Sequence, residues 1–341
     1  MNTTLLNALV NDEKKFNENL YSPGKYWKKK SDKILREIKR CGFQNFRGLN
    51  NGIGSSYTDS LIYDIRNELN YPLKFISLIL KFPYLSNIFE RQLHVTSSYI
   101  KKYLNYQNQA YNNERRVHDL IKKYSFNDTT QFGCLRKFNF KKKEYSVNYL
   151  KVAHRNDTIQ KYIDFRNINT YMEIGGGFGS NIHFLITNFK NIKKIIYLDI
   201  VPNIFIGTLY LKNFFGDSVK DYNHFKNLDK ISFSKDHKLE IFCIPPWCIN
   251  RLDITIDHFH NSASFVEMPI EIVKNYSKYL YKNKMKSYSL ISYLDYNPNT
   301  TFDPNILAEI FKDSEEKFVG DSLISGINKK SLFILKKISK L

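Results

Sequence analysis

Glu173, Gly175, Gly176, Gly177 and Gly179 form an E-x-G-G-G-x-G run, in which an acid stands two positions ahead of a glycine loop. Glycines here can take positive φ and let the backbone approach a ligand closely. The spacing nearly satisfies the dinucleotide pattern G-x-G-x-x-G, with Ser180 in the last place, so the glycines alone do not choose the cofactor. Glu173 does. A carboxylate beside the loop attracts an ammonium group and repels a pyrophosphate. S-adenosylmethionine carries an ammonium and no phosphate, which makes it the expected cofactor over a loop that includes Phe178. Asp199 ends a second apolar run, Lys194 to Asp199, with Ile200 beside it. That acid can accept hydrogen bonds from ribose hydroxyls, as in dinucleotide enzymes too.

Methyl transfer from a sulfonium to a hydroxyl is an in-line displacement, to which a protein contributes orientation and a base. Ligands in open α/β sheets sit beyond the carboxyl ends of strands. The run Ile254–Ile256 reads as strand four, followed by Asp257, His258, Phe259, His260 and Asn261. His260 and His258 are therefore candidate bases, with imidazole pKa values near about 6.5. Asp257 is their candidate orienting partner or, alternatively, a metal ligand. Glu267 is a rival base, although it can instead complement the positive end of the helix that starts after Met268-Pro269. No metal is expected, since Asp257, His258, His260 and Glu267 make only a loose ligand set. His154 and Arg155, ahead of the first strand, are candidates for meeting the acceptor or else a surface pair. In the polar turn Asp295 to Asn299, Tyr296 can stack on a sugar. Pro245-Pro246-Trp247 follows strand three, where adenine is usually contacted in such folds.

The elements that must hold these residues alternate. Strands are expected at Tyr171–Ile174, Lys194–Asp199, Leu239–Ile244, Ile254–Ile256 and Ser289–Leu294, and helices near 181–189, 203–215 and 269–282. A turn between two apolar runs over Leu323 to Leu335 predicts a closing antiparallel hairpin. This is an α/β, doubly wound pattern. Residues 1–145 read instead as helical, with apolar spacings of three and four in Leu61–Leu69 and Leu104–Leu120 and turn signals at Ser22-Pro-Gly24 and Gly48 to Gly54. The division expected is a helical part, 1–145, and a cofactor-binding part, 146–341.

With these motifs the chain resembles class I S-adenosylmethionine-dependent methyltransferases and, among them, bacterial sugar O-methyltransferases. The matching stretches are Ser146 to Arg155, Met172 to Gly179, Tyr197-Leu-Asp199 and Asp257 to Met268, with a weaker one at Cys41 to Arg47. The resemblance implies a Rossmann-like sheet of seven strands ending in an antiparallel hairpin, behind an N-terminal helical domain. It implies O-methylation of a saccharide or nucleotide-linked sugar in bacterial surface glycan biosynthesis. It places Asn261 and Ser264, with Glu267, in the subgroup's characteristic run. The helical part is a candidate lid over the cleft, a source of acceptor contacts and an oligomerisation surface for a homodimer.

The 341 residues are enough for two domains, and 42% hydrophobic with 15% aromatic content is enough for a core. No charged-then-apolar leader opens the chain, and the longest apolar patch, Phe75–Leu80, is too short to span a bilayer, so the expected compartment is the cytoplasm. Cys41, Cys134, Cys243 and Cys248 show no C-x-x-C pair, which points to buried free thiols. The net charge of +19 is uneven, with 26 basic against 13 acidic side chains in residues 1–150 and 26 against 20 in the rest. A basic first half can attract nucleic acid, an anionic membrane surface or an acidic glycan. Nucleic-acid methylation is the weaker alternative, because Ile244-Pro-Pro-Trp247 lacks the leading Asn or Asp of amino-methylating DNA enzymes. A cofactor-binding interaction protein without catalysis is the non-enzyme alternative.

Overall fold

A computed structural model describes residues 3–16, 20–41, 46–48, 115–133, 138–321 and 330–337. The expected turn after Gly48, the helix at Leu61–Leu69, the patch Phe75–Leu80, the start of Leu104–Leu120, Cys134 and the first run of the closing hairpin lie outside them.

Ahead of the sheet, β1 (Phe138–Phe140) and β2 (Lys143–Tyr145) form a small hairpin. Eight further strands make one sheet: β3 (Thr170–Ile174), β4 (Lys194–Leu198), β5 (Val219–Lys220), β6 (Glu240–Ile244), β7 (His258–Ser262), β8 (Ser287–Tyr293), β9 (Glu316–Asp321) and β10 (Lys330–Lys336). Their spatial order is β5-β6-β4-β3-β7-β8-β10-β9. Strands β3 and β4 are buried at every position, as parallel strands covered on both faces must be. β10 runs antiparallel to both β8 and β9 and closes the sheet as a hairpin. This is a mostly parallel, Rossmann-like sheet with a closing antiparallel hairpin, as expected, with the two-residue edge strand β5 added to the expected seven. The chain reverses direction of travel across the sheet at β3, flanked by β4 and β7, and that switch point is where an open α/β sheet holds its ligand.

One strand differs from the sequence reading. Ile254–Ile256 is not strand four, which is instead the polar segment His258–Ser262. The register sets Tyr171 against His258 and Glu173 against His260, so both histidines are inside the sheet rather than after it.

The helices are α1 (Thr3–Lys15), α2 (Lys25–Cys41), α3 (Val147–Ile159), α4 (Ser180–Asn188), α5 (Asn203–Phe215), α6 (Tyr222–Phe225), α7 (Ile270–Lys282) and α8 (Ile306–Ile310), besides a helical segment at 115–123. α3 packs on α4, and α1 on α5 and α6. Helix α1 buries Leu5, Leu6 and Leu9. Each contributes about 1.5–3 kcal/mol of apolar burial. It is also tied by Tyr222 Oη donating to Asp12 Oδ2 at 2.9 Å, and Phe16 stacks on Trp247 with ring centroids 5.9 Å apart. Leu5, Trp27, Ile34, Phe46 and Tyr124 thus join the same apolar cluster as the sheet residues. Cys243 and Cys248 are buried free thiols.

Candidate functional site

β3 ends at Ile174, and the chain passes through Gly175 at φ +76°, Gly177 at +63° and Gly179 at +87° before α4 starts at Ser180. The Gly175 amide donates to the Leu198 carbonyl at 2.8 Å, which ties the loop to β4. A Cβ on Gly175 would lie 2.0 Å from Ser264 Oγ, and one on Gly176 would lie 2.9 Å from the Glu173 carboxyl. Only glycines fit between the acid below and the serine turn above.

The two acids meet this loop from adjacent strands. Asp199 Oδ2 accepts from the Gly177 amide at 2.9 Å, while Oδ1 accepts from the Ile200 amide at 2.7 Å and Asn203 Nδ2 at 3.1 Å. Burial pushes its pKa up to about 7, against the pull of those donors. Glu173 Oε1 accepts from Asn181 Nδ2 at 3.1 Å, whereas Oε2 is buried with no hydrogen-bond partner among the described residues. Burial pushes its pKa up to about 8, opposed by the positive charge of Arg155. Arg155 Nη1 donates to Ser262 Oγ at 2.7 Å.

Above these groups lies a cavity of about 570 Å³. Glu173, Gly175, Gly176, Gly177, Asp199 and Ile200 line it, as do His154 and Arg155. Ser264, Glu267, Ser292, Tyr293, Asp295 and Lys330 line it too. Tyr21, Ser22, Pro23, Gly24 and Trp27 add a wall from the N-terminal region. Glu267 is held by two donors, Trp27 Nε1 to Oε2 at 2.7 Å and Tyr293 Oη to Oε1 at 3.1 Å. Burial raises its pKa, opposed by both hydrogen bonds and by the charge of Lys30. A raised carboxyl pKa makes the carboxylate a stronger base, which suits proton abstraction.

Several expected site residues are elsewhere. His258 is buried in β7, with Nδ1 2.8 Å from Ser287 Oγ and Nε2 2.9 Å from Ser289 Oγ. His260 is buried beside it, Nδ1 2.8 Å from Ser289 Oγ. Burial lowers the pKa of His258 to about 3 and that of His260 well below its ordinary value, so neither imidazole readily takes a proton. Neither lines the cavity. Asp257 sits at the entry of β7, the opposite end of the strand from the cavity. There it accepts from the Asn169 and Thr170 amides at 3.0 and 2.9 Å and pairs with Lys286 at 2.7 Å. Among the described residues no three His, Cys, Asp or Glu side chains gather as metal ligands.

Phe178 belongs to the loop but turns beneath it, packing edge-on against Phe46 at 5.6 Å and Tyr210 at 5.0 Å. Asn261 is a latch rather than a cavity group. Its Nδ2 donates to the Ile174 carbonyl at 2.9 Å and to Ser264 Oγ at 2.6 Å, and its Oδ1 accepts from the Phe265 amide at 3.1 Å. Tyr296 is 48% exposed and does not line the cavity. Trp247 is buried under Phe16, its indole donating to Tyr222 Oη at 3.1 Å.

Other contributors carry no local sequence signal. Trp27 and Tyr293 reach Glu267 from distant segments. Tyr197 donates to the Gly177 and Asn203 carbonyls, bracing the loop from below. Arg47, fully buried, donates to the Thr129 and Gln131 carbonyls and lies over the Phe178 ring, 5.2 Å from its centroid. It closes the weak match at Cys41 to Arg47, the one hint that this segment bears on the loop.

No protein-family model matches the chain, and no curated protein matches it. Solved structures that are similar include the mitomycin 7-O-methyltransferase MmcR, at 10% identity, TM-score 0.36, 56% of this chain and 57% of that one. Another is magnesium protoporphyrin IX methyltransferase from Synechocystis PCC 6803 with bound SAM, at 8% identity, TM-score 0.37, 55% of this chain and 78% of that one. Human N-acetylserotonin methyltransferase in complex with SAM aligns at 11% identity, TM-score 0.36, over 56% of this chain and 54% of its own. This chain therefore spans little more than half the length of two of these three.

Proposed function

We propose that this chain is an S-adenosylmethionine-dependent O-methyltransferase. The observation that carries the reading is the buried Oε2 of Glu173 beside the glycine loop, which has no hydrogen-bond partner among the described residues. A buried carboxylate oxygen left unsatisfied costs roughly 1–3 kcal/mol or more, and an ammonium donor from a ligand removes that cost. The fit extends to Asp199, which faces the same cavity from the end of β4, where ribose hydroxyls are expected.

When bound, the cofactor supplies an electrophilic methyl group. The chain supplies binding, orientation and a base. Of the cavity's lining, Glu173 would hold the ammonium end, the Gly175 to Gly177 backbone would border the ligand, and Asp199 would accept from the ribose hydroxyls. Glu267, the one sequence-proposed base that lines the cavity, takes the proton of the acceptor hydroxyl.

The acceptor in this reading is a saccharide or nucleotide-linked sugar used in bacterial surface glycan biosynthesis. Support comes from the resemblance at Asp257 to Met268 and from the cavity wall, where Ser292, Asp295 and Lys330 stand among the rings of Trp27 and Tyr293. Mixed polar and aromatic walls suit a polyhydroxylated ring. Calorimetry with S-adenosylhomocysteine and with NAD(H) tests the cofactor, and binding of NAD(H) alone would overturn the reading. A screen of nucleotide sugars and glycans with labelled methyl donor tests the acceptor.

A further inference from the structure

Glu267 and Trp27 are 240 positions apart in sequence, yet the indole Nε1 donates to Glu267 Oε2 at 2.7 Å. The contact is built on both sides. Trp27 is 9% exposed and lies in the first turn of α2, which the Lys28 amide begins by donating to the Gly24 carbonyl at 3.0 Å. Gly24 presses on the Glu267 turn so closely that a Cβ would lie 2.3 Å from the Glu267 carbonyl oxygen. Asn275 of α7 donates to the Leu20 carbonyl at 3.5 Å. The segment from Leu20 to Trp27 is thus seated on the acid and walls its cavity.

We infer that Trp27 is a positioning residue, which fixes the orientation of the Glu267 carboxylate and tunes its hold on a proton, so that the N-terminal region is part of the reactive apparatus. The inference rests on the reading of Glu267 as the base.

The physical grounds are those of a charge-assisted hydrogen bond, which favours the ionised acceptor and restricts its rotation. Among the described residues the groups that act on Glu267 are Trp27 and Lys30 from α2 and Tyr293 from β8, while the charge of Glu267 in turn raises the pKa of Asp199, just after β4. Lys30 Nζ lies 5.9 Å from the Trp27 ring centroid, so the indole also holds this cation near the acid. Burial works against ionisation, whereas Trp27, Tyr293 and Lys30 favour it. Without the indole the balance tips toward the protonated form.

The test uses the full chain labelled with 15N-indole tryptophan, of which the sequence has two, and 13C-carboxyl glutamate. Trp27→Phe and Glu267→Gln assign the two signals. The Trp27 indole is expected to titrate with the same midpoint as the Glu267 carboxyl, and Glu267→Gln should abolish that titration. In Trp27→Phe the Glu267 midpoint should rise by about half to one pH unit, the worth of one hydrogen bond. An indole that ignores pH and Glu267→Gln, or a Glu267 midpoint unmoved in Trp27→Phe, overturns the inference. The indole titration and its loss in Glu267→Gln need no change at Trp27, so they decide the matter even if Trp27→Phe fails to fold. S-adenosylhomocysteine calorimetry on the wild-type chain separates the two ideas: absence of binding removes the methyltransferase reading and leaves the spectroscopic result intact. With an acceptor from the screen, Trp27→Phe should move the acid limb of the kcat profile upward while S-adenosylhomocysteine affinity stays within about twofold.

Discussion

Glu173, near the end of β3, and Asp199, just after β4, flank one glycine loop from neighbouring parallel strands, but only Asp199 has donors on both oxygens. Asp199 takes the Gly177 amide at 2.9 Å, and its second oxygen has two further donors. Glu173 keeps one oxygen without a hydrogen-bond partner among the described residues. Asp199 both shapes the loop and lines the cavity, whereas Glu173 lines it with an oxygen still open to a donor.

That difference makes stability depend on pH through Glu173. Its folded pKa of about 8 stands above the ordinary 4.5. Between those values the folded chain holds a proton that the unfolded chain has released, so stability falls as pH rises through the window. Glu173→Gln should abolish this loss. Its melting temperature should exceed that of the wild type near pH 8, and the gap should close toward pH 5. Parallel melting curves for the two proteins at all pH values would contradict the assignment.

Ligand affinity should run the other way. An ammonium group binds the ionised carboxylate, so S-adenosylhomocysteine affinity should increase as pH rises from about 6 through the Glu173 value of about 8. Titration calorimetry at several pH values checks this. Glu173→Gln should bind more weakly and lose the pH dependence.

Asp199→Ala removes both the ribose acceptor and the brace on Gly177. A loss of about 1–3 kcal/mol is expected, or roughly 5- to 150-fold in the Kd for S-adenosylhomocysteine. An affinity within twofold of wild type would show that the loop holds its ligand without this acid.

The histidines and Glu267 should separate cleanly. His260→Ala leaves Ser289 and a cavity inside the sheet, which should destabilise the fold by about 1–3 kcal/mol without touching cofactor affinity. Glu267→Gln should keep the fold and S-adenosylhomocysteine binding yet lower turnover of an identified acceptor on the order of 10²-fold or more. Thermal melts and single-turnover methyl transfer on both variants decide this, and full turnover in Glu267→Gln would remove Glu267 as the base.

A substitution outside the cavity should also reach the loop. A Cβ on Gly207 would lie 2.2 Å from Tyr197 Oη, the hydroxyl that braces Gly177 and Asn203. Gly207→Ala should therefore cost about 1–3 kcal/mol in stability and weaken S-adenosylhomocysteine binding. Melting and calorimetry on this one variant measure both effects.

The sequence by itself determined the elements whose signals are local. The apolar runs at Tyr171–Ile174, Lys194–Asp199 and Leu239–Ile244, the glycine loop with its acids, and the helices near 181–189, 203–215 and 269–282 are written in spacings of a few residues, and the structure places strands and helices within a residue of each. β7 is different. His258-Phe-His-Asn-Ser262 looks like a polar loop, because the serines that satisfy its imidazoles lie in β8, 29 and 31 positions on from His258. The apolar Ile254–Ile256 imitates the strand that β7 is. Only the register of β7 between β3 and β8 decided that these histidines are buried wall residues. The surroundings of Glu267 were likewise decided by tertiary structure: its own neighbours in sequence fit a helix start, while the indole that holds it arrives from Trp27. Hydrogen bonds that span 240 positions leave no trace in local periodicity, since each partner needs only to be present where the fold brings it.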